Sequence, residues 1–304
     1  MKVRIGFGLG RESACSTRSQ LGSLVDALEE RRFDSLWFSE RIGGPAPDPI
    51  AGMAFAVART ERLKVGMSVM VLPGRNLAVL AKELATVDQL AAGKNRVLPA
   101  FGIGAPEPAE HSAFGVTRTT RKGMYEEALP LLRRLWSEDA VTHHGDHYCF
   151  DGVSVNPKPV KSGFDVWMGG MHPIELDRVG RLSDGWLASF CTPNDIREKI
   201  PLIEAAAAAA GRTIDPEHYG APIVYRRSGP LVGPLAMAVA RSNPGLDPSD
   251  VVPPGLAGAV RQIEGLVAVG MSKFVLVPAH PLDDPDELRR ELDDIVATVL
   301  PLQT

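Results

Sequence analysis

The stretch LKVGMSVMVLPGRNLAVLAKELATVDQLAAG, Leu63 to Gly93, decides the fold. Leu63 to Val71 is a short run of mostly apolar residues, the pattern of a strand buried on both faces. Pro73, Gly74 and Asn76 follow as turn residues. From Leu77 to Ala92 apolar residues recur at helical spacing until Gly93, which suits a helix C-terminus. A buried strand, a turn and an amphipathic helix in that order make one βα unit.

The same alternation repeats outward in both directions. Strand candidates are Val3 to Leu9, Phe33 to Ser39, Leu63 to Val71, Arg96 to Gly102, Asp165 to Gly169, Asp184 to Phe190, Tyr219 to Arg226 and Lys273 to Pro278, eight in all. Helices between them have recognisable starts: Asp48-Pro49, Thr192-Pro193 and Asp284-Pro285 each place a capping oxygen before a proline whose missing N–H does no harm. The alanine run Ala205 to Ala210 stops at Gly211, as a helix end would. Eight βα units in 304 residues predict an α/β fold, a single (β/α)8 or TIM-barrel domain spanning 1–304. Two intervals exceed ordinary connections, 105–163, with one clear helix at Arg121 to Trp136, and the Gly- and Pro-rich 227–254, which precedes a helix around Leu256 to Val269. In a barrel such insertions gather at the catalytic, C-terminal face of the strands.

Composition narrows the function. Lys and Arg number 33 against 37 Asp and Glu, and no stretch concentrates positive charge, so a nucleic-acid partner is not expected. Glycines and charges interrupt the start before any apolar run reaches signal-peptide length, and nowhere do about 18 apolar residues run together. A cytoplasmic protein with no membrane partner is expected. Cys15, Cys149 and Cys191 are odd in number and lack metal-ligand spacing, so they read as reduced thiols.

Three stretches resemble the luciferase-like monooxygenase superfamily, in particular its F420-dependent branch of actinobacterial type. They are FDSLWFSER at Phe33 to Arg41, the Leu63 to Gly93 stretch, and VWMGG at Val166 to Gly170 with LSDGWL at Leu182 to Leu187. With GDHYCF and NPKPV, the resemblance covers about the first 200 residues. It implies an F420-dependent oxidoreductase moving hydride between deazaflavin and a small-molecule substrate, with dimers common among relatives. FMN is the alternative cofactor, which would make a flavin monooxygenase, and a catalytically silent cofactor-binding barrel is a further alternative.

Site candidates follow from residues and resemblance together. Glu40 and Arg41 end the second strand at the catalytic face, where catalytic roles are expected. Relatives usually carry an acidic residue followed by histidine there, a proposed proton acceptor in the sugar-phosphate dehydrogenases. Arg41 cannot act as a base but can stabilise an anionic oxygen or a carboxylate. A strand-end ion pair is the structural alternative. Some of those dehydrogenases carry a catalytic glutamate where Ala105 stands, so their sugar-phosphate chemistry is not expected here. The resemblance places a non-proline cis peptide at Ser68-Val69, backing the deazaflavin. Gly102 and Gly104 would let backbone approach a flat ring. Gly169, Gly170 and Met171 precede a helix start near Pro173, whose N–H groups suit a cofactor phosphate.

Other signals compete. HHGDH, with His143, His144, Asp146 and His147, has zinc-ligand residue types without the i, i+4 spacing of a ligand helix, and the resemblance places it in a hairpin. No metal is expected. Arg118 and Arg121 either meet an anionic tail or solvate a helix start. The tryptophans read as core, with Trp37 nearest the cofactor wall, and the apolar helices near Met53 and Leu80 are candidates for a homodimer interface.

Overall fold

In the computed structural model every residue is described except 10–14, 162, 228, 230, 232, 243, 244 and 283, so part of the 227–254 insertion lies outside the described residues. The strands in chain order are β1 (Arg4–Gly8), β2 (Ser35–Phe38), β3 (Lys64–Met67), β4 (Met70–Val71), β5 (Val97–Leu98), β6 (Ala100–Gly102), β7 (Val141–His144), β8 (Cys149–Val153), β9 (Trp167–Gly169), β10 (Gly185–Leu187), β11 (Tyr219–Tyr225) and β12 (Lys273–Pro278). Two of the eight expected strands are broken in the middle. Ser68-Val69, a cis peptide, separates β3 from β4. Pro99, which has no N–H for the ladder, separates β5 from β6.

Once those halves are joined the barrel closes. β3 pairs with β5 and β4 with β6, while the remaining parallel pairings run β6-β9-β10-β11-β12-β1-β2-β3. Every stave therefore has a parallel partner on each side, and no edge is left open.

The helices are α1 (Arg18–Glu30), α2 (Pro49–Val57), α3 (Leu77–Leu90), α4 (Pro108–Ala113), α5 (Thr120–Ser137), α6 (Pro173–Leu182), α7 (Pro193–Ala209), α8 (Gly233–Ser242), α9 (Pro248–Val251), α10 (Gly255–Val267) and α11 (Pro285–Thr298). The expected caps form: Asp48, Thr192 and Asp284 accept from the N–H groups of Ala51, Asp195 and Glu287. Gly93 and Gly211, at φ 61° and 68°, take the left-handed conformation that ends α3 and α7.

Inside the barrel Trp37, Ala100, Trp167, Leu187 and Val275 pack together. Glycine makes room for the indoles: a Cβ on Gly66 would lie 2.8 Å from Trp37, and one on Gly185 2.5 Å from Trp167. Beneath them the fully buried Lys273 lies 6.0 and 5.9 Å from the Trp37 and Trp167 ring centroids, and its Nζ is 3.1 Å from Asp34. Asp34 also meets Lys64 at 2.6 Å. Burial pushes the Asp34 carboxyl up, but Lys273 and Lys64 outweigh it and hold it at about 2. Burial pushes the Lys273 ammonium down to about 8 against the pull of Asp34. The N-terminal end of the barrel is thus sealed by aromatic rings over a desolvated ion pair.

The 105–163 insertion divides in two. Its first part, with α4, stays at the mouth, while the β7-β8 hairpin and the chain after it run down the outside of α3 and α5. Lys82 Nζ donates to Asn156 O at 2.6 Å, Gln89 to Lys158 O at 2.9 Å, and Val160 N–H to Asp88 at 2.8 Å. The site is walled from this insertion by the first part and by Tyr125 of α5, not by the hairpin.

Candidate active site

A cavity of about 390 Å³ opens at the C-terminal ends of the strands, lined by residues from all eight staves and by Ala105, Glu110, Tyr125, Glu175 and Arg178. Glu40, Arg41, Ser68, Val69, Gly102, Gly104, Gly169 and Gly170 all line it; Met171, expected at a cofactor phosphate, does not. Trp37 forms part of the floor.

The Ser68-Val69 peptide is cis. Val69 lies across the neighbouring strands: a Cβ on Gly102 would come 2.5 Å from its Cγ2, and one on Gly169 would lie 4.0 Å from its Cγ1. Only a residue without a side chain fits at Gly102. At Gly169 the nearest atom to an added Cβ is Leu187 O at 3.6 Å, so that space is open. An apolar shelf flanked by bare backbone fits the flat face of a tricyclic ring.

Glu40 is buried, and both its oxygens are engaged. Oε2 accepts from Val71 N–H at 2.7 Å, and Oε1 accepts from Arg75. Glu40 N–H itself donates to Val69 O at 3.4 Å, so one residue grips the segment after the cis bond at both ends. Burial raises its pKa, opposed by Arg75 and the Val71 N–H. Arg41 is freer, with its guanidinium 3.6 Å from Glu107 and its side chain 28% exposed. The structural alternative, a strand-end ion pair between Glu40 and Arg41 or a nearby group, takes the nearby form: Glu40 pairs with Arg75 and Arg41 with Glu107.

The α6 wall differs from its expected form. His172 and Glu175 close a capping box in which Glu175 Oε2 accepts from the N–H groups of Met171 at 2.9 Å and His172 at 3.0 Å. The Met171 N–H, one of the donors expected to meet a phosphate, is therefore already bonded to Glu175. One turn on, Arg178 lies with its guanidinium 5.5 Å from the Tyr125 ring centroid and donates from Nε to Glu126 at 3.1 Å. Tyr125 in turn donates to Phe101 O at 2.9 Å.

Reading the sequence missed Arg75, Glu175 and Arg178. Glu175 had a signal, an acid three residues after the helix cap, but His172 in place of the usual Ser or Thr concealed the capping box. Arg121 donates to Gly104 O and Ala105 O, both at 3.1 Å, and ties down the mouth loop. His143 pairs with Glu127 at 2.8 Å and His144 lies 3.2 Å from Cys149 Sγ. Among the described residues no three His, Cys, Asp or Glu side chains converge as metal ligands.

Comparison with known proteins places the chain. Residues 4–228 match the family described as luciferase-like monooxygenase, and the chain belongs to that family. It is 29% identical over 223 residues to an F420-dependent glucose-6-phosphate dehydrogenase of Kineococcus radiotolerans, covering 69% of this chain and 64% of the relative. It is 33% identical over 213 residues to the protein of the same name from Nocardia farcinica, covering 64% of this chain and 61% of the relative. The chain thus spans less than two thirds of those relatives' length. Among solved structures, an F420-dependent secondary alcohol dehydrogenase in complex with an F420-acetone adduct has the same fold, with a TM-score of 0.79 at 20% identity, covering all of both chains. Monooxygenase RslO1 from Streptomyces bottropensis follows at 0.77 and 19% identity, covering 98% of this chain and 99% of that one.

Proposed function

We propose that this protein is an F420-dependent oxidoreductase, with the deazaflavin ring on the shelf formed by Val69 between Gly102 and Gly169. The observation that carries the reading is that shelf, a buttressed apolar side chain between two bare backbones at the mouth of a barrel whose relatives are F420-dependent dehydrogenases. A bound deazaflavin supplies two-electron hydride transfer. Glu40 positions Val69 to Val71 and takes no direct part in proton transfer, because both its oxygens are committed. Arg41 faces the substrate and stabilises negative charge on its reacting oxygen, releasing Glu107 as it does so.

The substrate in this reading is a small organic molecule other than a sugar phosphate. Arg41 and Ala105 stand where the sugar-phosphate enzymes place proton-handling groups, and neither can act as a base at neutral pH, since Arg41 stays protonated and Ala105 has no titratable group. A cytoplasmic homodimer belongs to the same proposal. Of the helices near Met53 and Leu80, α3 offers apolar surface for its interface: Val79 and Leu90 are 51% and 59% exposed, while Met53 and Leu80 themselves are buried. Among the described residues no helix is long and apolar enough to cross a membrane.

Titration with F420 and, separately, FMN tests the reading. Tighter binding of F420 supports it, and a preference for FMN moves the protein to flavin chemistry. If F420 binds but no hydride donor or acceptor turns over, the barrel is catalytically silent.

A further inference from the structure

The donors at the start of α6, from Met171 to Leu176, are all engaged within the chain. Met171 and His172 N–H donate to Glu175 Oε2, and Ile174 N–H donates to His172 Nδ1 at 3.3 Å. Glu175 and Leu176 N–H donate to His172 O at 2.8 and 3.0 Å, and Pro173 has no N–H. The turn itself is held, since Trp186 Nε1 donates to Gly170 O at 2.8 Å. An anion arriving at this helix start finds each of these donors taken, and a carboxylate of its own sign beside it.

That arrangement disagrees with a cofactor phosphate seated here. We propose that Glu175 is a specificity-determining residue that competes with the phosphate of a bound deazaflavin for the Met171 and His172 N–H groups. This rests on the F420 reading of the same cavity. The phosphate gains those two donors only by displacing the carboxylate, and the structure offers the displaced group a destination. Arg178 lies three residues on, on the same helix face, lines the cavity and is only 5% exposed. The chain therefore holds the ring through Val69 but weakens its grip on an anionic tail at α6.

The test uses the full chain as wild type, Glu175→Ala and Glu175→Gln, titrated by fluorescence with F420 and with the same deazaflavin lacking the phosphate and everything beyond it. Glu175→Ala should tighten F420 by roughly tenfold, the scale of one charge-assisted hydrogen bond regained. Glu175→Gln, which keeps an oxygen acceptor for the cap, should fall between, and the tail-free ring should bind all three alike. An unchanged ratio of F420 to tail-free affinity across the three proteins overturns the proposal while leaving the ring site standing. Failure of the tail-free ring to bind any of them overturns the ring site and this inference together. Melting temperatures recorded alongside separate a lost cap from a changed anion preference.

Discussion

The two ends of this barrel use glycine in opposite ways. At the N-terminal end Gly66 and Gly185 are bare because Trp37 and Trp167 occupy the space their side chains would need, and the result is a sealed floor. At the C-terminal end Gly102 yields to Val69, but nothing comes nearer than 3.6 Å to a Cβ on Gly169, and the result is an open mouth. The same residue type in neighbouring strands is a packing device below and a vacancy for a ligand above. A glycine in a barrel strand gains meaning only from the neighbour that fills, or does not fill, its place.

The comparison breaks most visibly if the floor is emptied. Trp167→Ala should cost about 3–5 kcal/mol of stability, read from the urea midpoint, because a fully buried indole leaves a cavity its glycine-rich neighbours cannot close. A loss under about 1 kcal/mol would mean the floor is loosely packed.

Asp34→Asn comes next, at roughly 3 kcal/mol, because it leaves Lys273 buried without its counter-charge. The pH dependence has a definite sign. The Asp34 carboxyl is held at about 2 against an ordinary 3.8, so its contribution is full above 3.8 and is lost as pH falls through 2. That window should be worth roughly 2 kcal/mol in the wild type and absent in the variant. Lys273 acts at the other end: with its ammonium pushed down to about 8 from 10.5, stability from this group rises as pH climbs between those values.

Smaller effects separate floor from mouth directly. Gly185→Ala should cost about 1–3 kcal/mol, since its Cβ would fall 2.5 Å from a Trp167 ring atom with no room to yield. Gly169→Ala should change stability by less than about 0.5 kcal/mol, because its Cβ meets only ordinary contacts. Thermal melts of the two single variants make the comparison.

Much of this was legible in the residues. The strand-and-helix alternation located all eight staves, and Asp-Pro and Thr-Pro pairs located helix starts, because backbone preference and burial there act over a few neighbouring positions. The breaks at Ser68-Val69 and Pro99 were both legible: the family resemblance implied the first, and a proline inside a strand marks the second because it has no N–H for the ladder. The roles of Glu40 and Glu175 were out of reach. Each is decided by what its oxygens bond to, Arg75 and Val71 for one and the Met171 and His172 N–H groups for the other. Those partners are set by how loops meet at the mouth, and no periodicity encodes that meeting. The β7-β8 hairpin was likewise expected near the site and instead packs against α3 and α5, because the length of its insertion says nothing of its direction.

The most direct measurement is an F420 titration of wild type and Gly169→Val side by side, with a melting curve for each. The account predicts that wild type binds F420, and that the variant loses about tenfold or more in affinity while melting close to wild type, because the added side chain fills only the space reserved for the ring. Equal affinity in the two proteins would contradict it, placing the cofactor elsewhere or nowhere on this barrel.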